Sequence, residues 1–160
     1  MPPVDRIRNI AVGLVVREGH ALVEIYPATE RHEPFARALG GGVEFGETAA
    51  AAVRREFLEE LGIEVDEAVP LAVTENIFDS GWAKGHEVVH VFLVRSAALD
   101  ALALSGGLPV LDNHTIARWV PLADLRAQKP PFYPVGMIDL AEALDRAPSP
   151  GRTPDADLLS

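Results

Sequence analysis

The 160-residue chain contains no cysteine. Disulfides, thiolate metal sites and cysteine nucleophiles are therefore excluded, and the absence agrees with a reducing, cytoplasmic setting. Positive charge is also scarce: 14 Lys and Arg stand against 24 Asp and Glu, a net charge of −10. A protein that grips a nucleic-acid polymer draws on many cationic contacts to phosphate, so no such polymer is expected as a partner. A small polyanion held through a metal ion stays compatible, because a bound cation inverts the local electrostatics. The apolar run from Ile10 to Val16 is too short to cross a membrane. Arg17 and Glu18 follow it where a signal peptide would have small residues, so the run reads as a strand and no membrane partner is expected.

What is present suits one globular domain. The hydrophobic fraction is 48%, and the length fits a single core with little room for a second. The domain is expected to span residues 1–146, with residues 147–160, rich in Pro, Asp and Ser, as a flexible tail. Residues 9–16 and 21–27 read as two strands of a hairpin turning at Arg17–His20. Phe35–Leu39 reads as a short strand leading into a glycine loop. Thr48 is a candidate N-cap for a helix that Gly62 ends. Strands are expected around 69–78, 87–95 and 115–121, with an irregular connection over 105–113. Short helices are expected after Pro121 and over Met137–Arg146. Strands alternating irregularly with two or three helices predict a mixed α/β sandwich.

The chemistry concentrates in GGGVEFGETAAAAVRREFLEELGI, residues 40–63. Glu56, Glu59 and Glu60 fall at i, i+3 and i+4, so the helix presents them on one face. Ala49 and Ala52 continue that face and are expected to leave an open shelf beside the acids. Val53, Phe57 and Leu61 line the opposite side, flanked by Leu58. Carboxylates at this spacing repel one another, and a hard divalent cation is the natural offset, since Mg²⁺ and Mn²⁺ prefer oxygen ligands. Arg55 has the fork geometry to orient one of the glutamates. Most Glu- and Arg-rich helices are merely solvated faces. The glycines at 40, 41, 42 and 46 weigh against that reading, because a solvated helix needs no such loop.

Gly41, five residues, Glu47, seven residues, then Arg55-Glu56-Phe57-Leu58-Glu59-Glu60-Leu61-Gly62-Ile63 resembles the Nudix box at every defined position. The resemblance covers about a seventh of the chain, and the order of elements around the box is similar to a Nudix domain over roughly residues 8–146. It implies an α/β/α sandwich with a mixed β-sheet and a hydrolase that cleaves a diphosphate bond in a nucleoside diphosphate linked to another moiety. It implies Mg²⁺ or Mn²⁺ held by Glu56, Glu59, Glu60 and the carbonyl of Gly40. Glu56, Arg55 and Glu59 form the catalytic set it implies. Glu56 is the first choice as general base, and Asp79, Glu87 and Asp112 are alternatives from later segments. Arg55 would hold a box glutamate, and Glu47 would support the helix start or meet the metal indirectly.

Outside the box, Trp82 and Lys84 in DSGWAKGH are candidates for a lid that stacks on a base and meets phosphate. Phe45, Tyr26 and Phe35 are candidates for a base pocket, although core or edge packing explains aromatic residues at least as well. Asn113 stands where the resemblance would place a late acidic ligand, and Leu39 where many members have proline. The implied partner is a small nucleotide-type substrate, with the protein a monomer or homodimer. An isomerase on the same fold would normally use a cysteine, which this chain lacks. A sensor that has lost catalysis would usually show eroded box glutamates, and here they are complete.

Overall fold

The computed structural model describes residues 5–81 and 83–147. Fourteen elements follow in chain order: β1 (Ile7–Leu14), β2 (Val16–Arg17), β3 (His20–Tyr26), β4 (Phe35–Arg37), β5 (Leu39–Gly42), α1 (Ala49–Leu61), β6 (Glu67–Asp79), β7 (Lys84–Arg95), α2 (Ala97–Asp100), β8 (Gly107–Val110), β9 (Thr115–Pro121), α3 (Leu122–Arg126), β10 (Phe132–Tyr133) and α4 (Met137–Arg146). A four-stranded sheet runs β5-β1-β7-β6 and a six-stranded sheet runs β10-β4-β3-β9-β8, with β2 beside β3. Both contain parallel and antiparallel pairs, β1 with β7 and β10 with β4 being parallel.

Side chains that alternate along the central strands divide into two cores. On one face Ala11, Leu22, Phe92, Val94, Ala117 and Trp119 pack against Ala52, Val53, Phe57 and Leu61 of α1. On the other, Ile10, Val12, Val23, Val89 and Val91 pack with Leu122 and Leu125 of α3 and Met137 and Ala141 of α4. Helices therefore cover both faces of the sheet layer, and the expected α/β/α sandwich is the observed fold.

The structure corrects several local expectations. The expected hairpin turn over Arg17–His20 is present, but it joins β3 only to the short β2, with Val16 opposite Ala21; β1 itself joins β5 and β7 in one sheet, while β3 joins β2, β4 and β9 in the other. The glycines at 40–42 are not a loop but most of β5, paired with Val12, Ala11 and Ile10 of β1. Gly40 has φ of 146°, and a Cβ there would lie 2.0 Å from the Ala11 carbonyl oxygen, so the close strand approach requires glycine. The stretch read as irregular holds β8, which pairs with β9. Trp82 and the tail from residue 148 onward lie outside the described residues.

Candidate active site

The box helix begins and ends as its sequence directs. Thr48 is extended and its hydroxyl accepts from Ala51 N–H, while Gly62 closes the helix in the left-handed region at φ 66°. Val53 and Phe57 are fully buried, which fixes the rotation of the helix on the sheet. Two neighbours depart from expectation. Ala52 is fully buried and Ala49 packs against the same core, so no open shelf extends from the acids. Leu58 is exposed rather than flanking the core.

With that rotation fixed, the three box glutamates become unequal. Glu60 is buried at 6% exposure, the Glu56 side chain is 14% exposed, and that of Glu59 is 50% exposed. Arg55 ties the arrangement together through every N–H it has. Nε and Nη2 grip the two oxygens of Glu47 at 2.8 and 3.0 Å, and Nη2 also donates to the Gly42 carbonyl at 2.9 Å. Nη1 donates to Glu56 at 3.0 Å and to Glu59 at 3.2 Å. The bond from Arg55 holds the Glu47 carboxyl below its ordinary range, and the guanidinium in turn is held more firmly protonated than usual. Glu47 also accepts from the Glu44 backbone N–H, so it braces the turn before the helix.

Gly41 explains how Glu56 reaches the sheet: a Cβ on Gly41 would sit 2.5 Å from the Glu56 carboxylate. Across from the helix stands a carboxylate that sequence reading did not single out. Glu24 in the middle of β3 is 3% exposed, and its Oε1 accepts from Thr115 at 2.5 Å and from Asn113 at 3.2 Å. The signal was present in LVEIY, where Leu22 and Glu24 occupy successive inward positions and the second is an acid. Asn113 is thus brought to the site as a donor to Glu24, and Asp112 adds its charge near Glu60.

Glu60 carries the electrostatic consequence. Burial, then the charges of Glu24, Glu56 and Asp112, push its carboxyl from 4.5 up to about 8. Its Oε2 is buried with no hydrogen-bond partner. Among the described residues no three acidic or imidazole groups are close enough together to hold a metal ion as they stand. Hard oxygen donors, one of them orphaned, in a cluster too negative for all to ionise fit a divalent cation such as Mg²⁺ or Mn²⁺. The orphaned atom is the one that such an ion would satisfy.

The remaining candidates lie elsewhere. Phe45 is fully exposed. Lys84 sits at the exposed end of the β6–β7 hairpin, 3.6 Å from Asp79. Glu87 is buried, but it shares a face with Val89 and Val91, away from α1, and accepts from Asn76 at 3.1 Å. A cleft of about 790 Å³ lies against Ile25 and Ile116, on the sheet face opposite Glu24, and is lined by none of the box residues. Shape therefore points away from the acids, and the ionisable groups mark the site with the clearer chemistry.

Comparison with known proteins agrees with this geometry. The NUDIX domain model matches residues 7–140. The MutT NUDIX hydrolase of Burkholderia pseudomallei is 29% identical with a TM-score of 0.56, over 76% of this chain and 88% of that one. The E. coli ORF135 protein is 25% identical with a TM-score of 0.61, over 92% and 96%. The MutT protein of Methanosarcina mazei Go1, 20% identical with a TM-score of 0.59 over 90% and 96%, shares the fold. No curated protein sequence matches the chain. The chain belongs to the Nudix family and is a hydrolase acting on diphosphate bonds.

Proposed function

We propose that this Nudix hydrolase is a metal-dependent pyrophosphohydrolase of small nucleotides, cleaving a diphosphate that links a nucleoside to another moiety. The observation that carries the reading is the orphaned Oε2 of Glu60, buried beside Glu24, Glu56 and Asp112. Glu56, Glu59, Glu60 and the Gly40 carbonyl are the proposed metal ligands, and Glu24 is added to them from the structure. Bound Mg²⁺ or Mn²⁺ would neutralise the diphosphate and lower the pKa of an attacking water. Glu56 is the proposed proton acceptor, held in place by Arg55 and backed by Gly41. Arg55 acts by positioning: with its donors spent on Glu47, Glu56, Glu59 and Gly42, it has none left for substrate. Glu59, half exposed, stands at the rim where a second ion or an entering substrate meets the site.

The acidic surface favours a small substrate over a polymer, and the lack of cysteine favours the cytoplasm. Among the described residues no helix is long and apolar enough to cross a membrane. A monomer or homodimer is the proposed state. The testing experiment measures phosphate and pyrophosphate release from nucleoside triphosphates, nucleotide sugars and dinucleoside polyphosphates with Mg²⁺ and with Mn²⁺. The Glu60→Gln variant is run alongside. Turnover should require metal and fall by orders of magnitude in the variant. Metal-independent turnover, or equal turnover in the variant, would refute the reading.

A further inference from the structure

Beyond the carboxylates, the same face of the six-stranded sheet carries a cation that the protein itself does not use. Arg37 of β4 lies directly opposite Glu24 of β3, and opposed residues of an antiparallel pair share a face. On its other side Arg37 is in register with Tyr133 of β10. One step along the sheet, Tyr26 and Phe35 stack with centroids 4.8 Å apart and planes within 3°. Tyr133 meets Phe35 edge-on at 5.9 Å. Arg37 is thus half-buried between a carboxylate on one strand and aromatic rings on the others.

Among the described residues, the Arg37 side chain makes no hydrogen bond and no ion pair. It does not close on Glu24, whose Oε1 is already taken by Thr115 and Asn113. A half-buried arginine whose side chain has no hydrogen-bonded or ion-paired partner is open to an anion, and its planar fork suits phosphate. Such a fork one strand away from the acids that would hold a metal-bound diphosphate is placed to take the oxygens that the metal leaves free.

We propose that Arg37 binds a phosphate of the substrate and that the Phe35–Tyr133 wall confines the adjoining planar base, which makes the ligand a nucleotide. The proposal rests on the diphosphate hydrolase reading for the position of the phosphates. Two residues along a strand span about 7 Å, the order of the separation between a nucleotide's phosphate and its base. Arg37 is then a specificity residue, and its removal weakens ground-state and transition-state binding alike.

The test uses calorimetry with α,β-methylene nucleoside triphosphates, which resist cleavage at that bridge, and with inorganic pyrophosphate, all in Mg²⁺. Arg37→Ala and Arg37→Gln should weaken binding of both ligands by about 10- to 100-fold, the loss of one charge-assisted contact. Arg37→Lys should recover part of it. Tyr133→Ala should weaken the nucleotide and leave pyrophosphate unchanged. On any hydrolysed substrate, Arg37→Gln should raise KM by a similar factor with kcat within about threefold. Unchanged affinity for the methylene nucleotide in both Arg37→Ala and Arg37→Gln would overturn the proposal, as would failure of the unaltered protein to bind it. An affinity loss in a protein that hydrolyses nothing would refute the hydrolase reading and keep the contact. Turnover with unchanged affinity would do the reverse.

Discussion

Replacing Glu60 by Gln should stabilise the chelator-treated protein, and do so only at neutral to alkaline pH. The carboxyl is raised from 4.5 to about 8 by burial and by the acids around it. At about 1.4 kcal/mol per tenfold change in acidity, that would amount to about 5 kcal/mol if wholly expressed in stability. Solvent and local rearrangement screen part of it, leaving about 2–3 kcal/mol. At pH 9 Glu60 is ionised in both folded and unfolded chains, so folding carries the whole cost. Near pH 4 it is protonated in both, and the cost vanishes. Between about 4.5 and 8 the folded protein keeps a proton that the unfolded chain has released, so stability falls as pH rises. Gln has no charge to bury at any pH. Urea unfolding in EDTA at intervals from pH 4.5 to 9 should show the two proteins matching at the acid end. At pH 9 the variant should lead by about 2–3 kcal/mol, or about 4–12 °C in Tm. Millimolar Mg²⁺ should reverse the order, because the ion stabilises only the protein that binds it. A variant less stable at pH 9, or an advantage that does not change with pH, would refute the electrostatic account.

Arg55→Ala should lower stability by about 2–4 kcal/mol in urea titration, since it leaves Glu47, Glu56 and Glu59 without their shared cation. Arg55→Lys should recover little, because an ammonium cannot grip Glu47 with both oxygens. Two glycine variants should separate structure from chemistry. Gly40→Ala meets the Ala11 backbone and should cost about 3 kcal/mol or more in thermal unfolding. Gly41→Ala meets only the movable end of Glu56, so it should cost less than about 1 kcal/mol yet reduce kcat at least about tenfold. Glu24→Gln removes the charge that does most, after burial, to raise Glu60, so the Glu60 carboxyl should titrate at lower pH by carbon-13 NMR. An unchanged titration would remove Glu24 from the cluster.

The box helix was legible because local rules determine it. Thr48 and Gly62 are capping residues by type, and Val53 and Phe57 recur at the helical period. The inequality of Glu56, Glu59 and Glu60 was not, since it depends on how Ala52 seats the helix against a sheet assembled from distant segments. Strand β5 escaped notice because three glycines carry no β-propensity of their own; their pairing with Ile10, Ala11 and Val12 is decided by β1. The exchange of partners between β1 and β3 was illegible for a related reason. Adjacent strands usually form a hairpin, and only long-range packing prefers β7 for β1 and β9 for β3. Glu24 is legible as an inward acid, but its company depends on Asn113 and Thr115, about ninety residues later in the chain.

That distance has a kinetic consequence. The acids converge only after β3 has found β9 and β1 has found β7, pairings between segments far apart in sequence that are slow to form. A divalent ion has nothing to grasp in the earlier, locally ordered chain, where the box helix stands without Glu24 opposite it. Its binding energy then belongs to the finished molecule and not to the barrier. Mg²⁺ should leave the folding rate almost unchanged and slow unfolding instead, so that the ion acts as a latch on a structure already closed.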